Sequence, residues 1–201
     1  MTNRVAAAVE RALDDRQREA TEEVERILAA AVRVMERVAP EPPRVSDIVA
    51  EAGSSNKAFY RYFAGKDELI LAVMERGVGI VVSYLQHQMA KEPQPRDKIV
   101  RWIEGTLAQV AEPHLISKSR AAAGQMSADW RAVDQEMMRP LRDLLAEPVA
   151  ALGSNDIERD VEAVFCCTAA TMRRYVGSAV RPGPDDIAHV VRFCLNGLGV
   201  N

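Results

Sequence analysis

Residues 45–63 read VSDIVAEAGSSNKAFYRYF. Val45, Ile48, Val49 and Ala52 recur at helical spacing and make an apolar stripe about two turns long. Gly53 then offers the backbone freedom that a sharp turn requires, and Ser55 is a residue type that caps a new helix. In that second helix Phe59, Tyr62 and Phe63 fall on one side, and Asn56, Lys57, Tyr60 and Arg61 on the other. A helix, a glycine turn and a short second helix make a helix-turn-helix pattern. Amide, phenol and cationic groups on its outer face are the groups that reach phosphates and base edges in a major groove.

The charge pattern agrees. Between Ser54 and Lys66 stand Lys57, Arg61 and Lys66 and no acid, although the whole chain carries a formal net charge of −3. An overall basic field of the kind that drives bulk phosphate neutralisation is therefore absent, and a local positive face remains.

Upstream, Val24, Ile27, Leu28, Ala31, Met35 and Val38 have the period of an amphipathic helix, ended by Pro40, Pro42 and Pro43. Residues 1–18 read as a loosely helical N-terminal arm. Its Arg4, Arg11, Arg16 and Arg18 alternate with Glu10, Asp14, Asp15 and Glu19, which favours a solvated face over a minor-groove arm. Downstream, Ala64-Gly65 breaks the pattern and a long helix begins with Asp67 and Glu68 in its first turn, where the macrodipole favours anions. Further helices are expected over 96–111, 114–125, 128–152, 155–179 and 185–198. The fold class is all-α, with about nine helices: a three-helix head at 19–66, with its motif at 44–63, and a larger helical body at 67–201.

Taken with its continuation AGKDELILAVMERG, this stretch resembles the N-terminal domain of the TetR/AcrR family of transcriptional regulators, over roughly residues 20–77. The resemblance is carried by Ile48, Ala52-Gly53, Ser55, Tyr60, Tyr62-Phe63, and Lys66 followed by an acid and Leu69. It implies that Ser55 caps the recognition helix, that Tyr60 meets phosphate, and that Lys66 meets the DNA backbone. Arg44 stands where a threonine often begins the motif and is near enough to reach phosphate. The DNA-binding set is then Arg44, Ser55, Asn56, Lys57, Tyr60, Arg61 and Lys66. Lys57 and Ala58 replace the glycine and threonine usual in the family, and Ser54 replaces a common valine, so the operator sequence does not follow from the resemblance.

For the body, the resemblance implies ligand binding and pairing of the last two long helices, at 155–179 and 185–198, across a homodimer axis. Ile157, Val161, Val164, Phe165, Thr168, Met172, Tyr175 and Val176 make one broad apolar face there. Ile187, Val190, Val191, Cys194, Leu195 and Leu198 make a second. Faces this wide suit a four-helix contact between copies, and equally an intrachain core. Tyr84, Trp102, Thr106, Met126, Trp130, Met137, Met138, Phe165 and Met172 are candidate pocket residues, suited to a mainly apolar effector or to ordinary core packing. His114 reads as a cap or surface residue. Gly77 and Gly79 allow either a hinge or close packing in the long helix.

The expected function is a repressor released from a palindromic operator by a small effector. A helical adaptor acting through protein partners is the alternative from another class. An enzyme is disfavoured: His87, His114 and His189 have no nucleophile motif beside them, and no phosphate-binding, dinucleotide or zinc-protease motif occurs. No cofactor or metal is expected. Cys166 and Cys167 adjoin one another and Cys194 stands apart, which is neither a disulfide framework nor metal-ligand spacing, and the adjacent pair reads as inert core thiols. With no apolar run of about 18 residues, neither a membrane span nor a secretion signal is expected, and the cytoplasm is the expected compartment.

Overall fold

The computed structural model describes residues 4–39, 41–112 and 131–200, all α-helix and connection, with no strand among them. In chain order the helices are α1 (Arg4–Val38), α2 (Val45–Glu51), α3 (Asn56–Tyr62), α4 (Lys66–Met89), α5 (Pro95–Ala111), α6 (Arg131–Asp143), α7 (Ala146–Ala151), α8 (Ile157–Val176) and α9 (Pro184–Gly197). Two compact units divide the chain, Met1–Val73 and Met74–Asn201. No helix among the described residues is long and apolar enough to cross a membrane.

In the first unit, the segment expected as a separate arm is helical from Arg4 and continuous with the rest of α1. The physical reason is local. Residues 4–38 contain neither glycine nor proline, and alanines at 6, 7, 8 and 12 are the strongest helix formers. Val9 and Leu13 are exposed on this extension, whereas Ile27, Leu28, Ala30, Ala31, Val34 and Met35 are buried. Helices α1 and α2 pack together, and Ile48, Val49 and Ala52 of the α2 segment are buried, as are Phe59, Phe63, Leu69, Ile70 and Val73.

The core of the second unit gathers Leu85 and Met89 from α4, Ile99, Trp102, Ile103 and Leu107 from α5, and Leu141, Leu145 and Val149 from the α6–α7 region. Val161 and Val164 of α8, with Val190, Cys194 and Leu195 of α9, complete it. Gly105 is needed for the approach of α4 to α5, because a side chain there would run into Leu85 and Tyr84. By contrast, a Cβ on Gly77 or Gly79 would meet nothing within 4 Å, so packing inside the chain requires neither glycine.

The single helix expected over 128–152 is instead α6 and α7, parted at Leu144-Leu145. Pro148 contributes to the break: it has no N–H to return to Leu144, and it sits instead in the first turn of α7, whereas α6 accommodates Pro140 in its interior. The helix expected at 114–125 lies outside the described residues. Proline also opens α5 and α9, and Asp156 caps α8 by accepting from the Arg159 N–H at 3.3 Å.

Trp102 ties α5 to the end of α6. Fully buried, its indole Nε1–H donates to the Leu141 carbonyl oxygen at 2.9 Å, a group in the last turn of a helix that ends at Asp143. Trp102→Phe should therefore lower unfolding stability by about 1–3 kcal/mol, the cost of an unpaired buried carbonyl. Urea denaturation followed by circular dichroism measures it, and an unchanged midpoint would contradict the assignment.

Candidate nucleic-acid interface

The motif is built as a rigid piece. Arg44, exposed and extended at φ −96 and ψ 140, precedes α2 without a side-chain cap. Gly53 turns the chain with φ +59, a conformation that L side chains rarely adopt. Ser55 then caps α3, its Oγ accepting from the Ala58 N–H at 3.1 Å. Residue 58 is buried, so the alanine at the place of the family's threonine faces inward here. At the other end of α3, the Ala64 N–H donates to the Glu68 carboxylate, which closes the turn into α4.

Phe59 anchors the helix. It is fully buried, with the Phe63 ring 5.6 Å away and the Tyr60 ring edge-on at 5.1 Å. With Phe59 inward, helical geometry turns Lys57 and Arg61 to the far side and Tyr60 to the flank; these three and Asn56 in the first turn are exposed, Tyr60 to 60%. Lys66, at the start of α4, is half-buried. Tyr62 departs from the simple inward expectation: it is half-buried, and its phenol donates to Glu23 of α1 at 2.9 Å. Arg61 is not wholly free either, since its guanidinium lies 3.8 Å from the same carboxylate. Sequence spacing gave no signal for Glu23, one acid among several on α1 and 39 positions from Tyr62.

A second charged cluster fastens α2 to α1. Arg33 Nε and Arg37 Nη1 donate to the two carboxylate oxygens of Glu51 at 2.8 and 3.0 Å. Hydrogen bonds from Arg33 first and Arg37 second hold the Glu51 carboxyl below its ordinary value near 4.5. A depressed carboxylate contributes stability that is fully present above the unfolded value and lost as pH falls through the folded one. The melting temperature of Glu51→Gln should lie below that of the parent at about pH 6, with the gap closing by about pH 3. A gap that persists in acid would remove the ionised carboxylate as its cause.

In the second unit the expected pocket residues are placed variously. Trp102 and Thr106 are buried in α5 and Met137 in α6; Met138, Phe165 and Met172 are half-buried, and Tyr84 is 48% exposed. Trp102 and Phe165 lie together, ring centroids 6.3 Å apart, with the Arg142 guanidinium 4.9 Å from the Phe165 centroid. Met172 packs against Val110 and Tyr175. The Thr106 hydroxyl is buried with no hydrogen-bond partner among the described residues, whereas Thr168 and Thr171 each donate to the carbonyl one turn back at 2.9 Å. Met126, Trp130 and His114 lie outside the described residues. A shallow hollow of about 620 Å³ is bordered by Glu75, Val78, Gly79, Val82, Glu136, Met137 and Pro140, sharing only Met137 with the expected set.

Two of the three thiols are pushed upward, for different reasons. Cys194 is buried, and burial, with the Cys167 sulfur alongside, pushes its thiol up to about 12. Cys166, expected in the core, is exposed; a hydrogen bond to Glu162 at 3.1 Å is the main cause that raises its thiol. No group of metal-ligating side chains occurs among the described residues.

Residues 27–73 match the family described as bacterial regulatory proteins, tetR family, and the match ends where the first compact unit ends. No curated protein matches the chain. Among solved structures, the transcriptional regulator FadR from Bacillus subtilis in complex with stearoyl-CoA is 18% identical, with a TM-score of 0.67 over 87% of this chain and 96% of that one. A TetR-like transcriptional regulator from a Rhodococcus species is 23% identical, TM-score 0.61, over 89% and 97%. RolR in complex with resorcinol is 15% identical, TM-score 0.68, over 92% and 91%. At such identities the likeness to these regulators is one of fold. The match of residues 27–73 falls on the head with helix-turn-helix geometry, and over that stretch the chain is similar to the tetR family of bacterial regulatory proteins.

Proposed function

We propose that the chain is a ligand-responsive repressor that binds a palindromic operator in double-stranded DNA as a homodimer and is released by a small, mostly apolar effector. The observation that carries this reading is the acid-free, exposed face of α3, set on a buried Phe59 and capped by Ser55. On it, Asn56 and Lys57 are offered to base edges, and Tyr60, with Arg44 and Lys66 on neighbouring elements, to phosphates. Arg61 joins them under a restraint argued below.

A pair of such helices about 34–36 Å apart fits successive major grooves on one side of a duplex. Dimerisation draws support from what α8 and α9 leave uncovered. Much of the two faces expected at the dimer axis is used inside the chain, where Val161, Val164, Thr168, Tyr175, Val190, Cys194 and Leu195 are buried. Outside, α8 exposes the small residues Ala163, Cys166 and Ala170 one turn apart, and α9 exposes Phe193 to 64%. That combination of close-approach residues and an uncovered aromatic suits a second copy.

Release by an effector draws support from the Thr106 hydroxyl, buried and unpaired among the described residues, which a hydrogen-bonding group of a ligand would satisfy. FadR with stearoyl-CoA and RolR with resorcinol are solved structures of the same fold with a small molecule bound. The effector acts only through its differential affinity for the DNA-competent and incompetent forms. A regulator of this kind, acting on double-stranded DNA, works in the cytoplasm.

Gel shifts against the duplex upstream of the gene test the contacts. Tyr60→Ala and Lys66→Ala should each weaken binding by about tenfold or more, consistent with about 1.5–3 kcal/mol for a hydrogen bond to a charged group. Parent-like binding by both would defeat the assignment. Sedimentation tests the assembly: the parent should run as a dimer and Phe193→Asp as a monomer, and a monomeric parent would sink the palindromic reading.

A further inference from the structure

The carboxylate of Glu23 has more partners than a surface acid ordinarily gathers. Its Oε1 accepts from the Ser54 hydroxyl at 3.2 Å, in the turn before α3, and its Oε2 accepts from the Tyr62 phenol at 2.9 Å, at the end of α3. One side chain of α1 therefore grips the recognition helix at both ends. The Glu23 side chain is only 22% exposed, so these bonds are partly shielded from water.

The same group engages a cation of the DNA-binding set. Arg61 bends back over the Tyr62 ring, 5.7 Å from its centroid, and brings its guanidinium to 3.8 Å from Glu23 Oε2. Lys57, one turn earlier on α3, has no carboxylate partner among the described residues. The basic face of α3 thus holds two kinds of cation, one free and one partly neutralised from behind.

We propose that Glu23 is the positioning residue of the DNA interface: it fixes the set of α3 on α1 and restrains Arg61, so that this guanidinium passes to phosphate only on a duplex that the helix fits. The inference rests on the DNA-binding reading above. On a poorly fitting duplex, phosphate must compete with a carboxylate already in place, and Arg61 displaces no counterion. Sequence-independent affinity is thereby kept low, and the ratio of specific to non-specific binding is raised.

The test uses the full chain as parent, Glu23→Gln, Arg61→Gln and the double variant. Each is titrated against the duplex upstream of the gene and an unrelated duplex of equal length, over a fourfold range of salt, with melting temperatures alongside. Glu23→Gln should steepen the salt dependence on the unrelated duplex by about 0.9 per protomer, which across that range is about 3.5-fold more affinity change per protomer and about twelvefold for the dimer. It should also lower the preference for the upstream duplex, and in the Arg61→Gln background it should add no steepening. Unchanged slopes, or the same steepening without Arg61, overturn the proposal. A parallel weakening on both duplexes with a lowered melting temperature also overturns it, since that marks a merely structural role.

If Glu23→Gln does not fold, the comparison passes to Arg61→Gln and Lys57→Gln on the unrelated duplex. A flattening by Arg61→Gln less than half that of Lys57→Gln supports the restraint, and an equal flattening overturns it. A parent that binds neither duplex at low salt refutes the DNA-binding reading itself, before any variant is compared, and this inference falls with it.

Discussion

Burial of Phe59 is the constraint from which the interface follows. A helix with 3.6 residues per turn that sends position 59 inward sends 57 and 61 to the far side and 60 to the flank, and Asn56 is exposed beside them in the first turn. Fully burying such a ring contributes about 1.5–3 kcal/mol, more than the helix-forming tendency of seven residues supplies unaided. The short helix α3 therefore exists because Phe59 is packed, with Phe63 behind it and the Ser55 cap at its start. Its outer face needs no energetic justification of its own, which leaves Asn56, Lys57 and Tyr60 free to be chosen for what they touch.

Charge in this head divides by partner rather than by sign. Arg33 and Arg37 are committed to Glu51, two exposed cations on one carboxylate that lock α1 to α2. Arg61 is half-committed to Glu23, and Lys57 stands alone. A count of basic residues would treat all four alike. Their geometry separates those that hold the scaffold from those available to a polyanion, and it explains how a chain of net charge −3 keeps a cationic helix.

The motif was legible in the sequence because its determinants are local. The apolar stripe of α2, the turn at Gly53, the cap at Ser55 and the aromatic at 59 lie within about three turns of one another, and each has its own physical signature. The residues that proved hard to read act across distance. Glu23 has no local signature in the sequence, and only folding brings it to Ser54 and Tyr62. The α6–α7 break had only an ambiguous signal, since Pro148 removes a donor from the ladder but Pro140 does the same inside an unbroken α6, and the surrounding apolar period ran through both. The pocket residues were the least legible. Met and Trp at helical spacing fit a core and a cavity equally, and Trp102 proved to be a core residue with a hydrogen-bonding duty.

The two broad faces of α8 and α9 show why periodicity overstates an interface. An apolar stripe records that a face is covered, not by what. Here Val164 and Leu195 are covered from within the chain, so the surface that the proposed second copy would meet lies a step around each helix. There the sequence offers alanine, cysteine and a lone phenylalanine, a pattern of little hydrophobic periodicity. Close helix approach depends on small side chains, and small side chains are nearly silent in any measure of apolar strength. An interface of this kind is recognised only after the core has claimed its residues, by asking which weakly apolar positions remain uncovered and whether an aromatic stands among them.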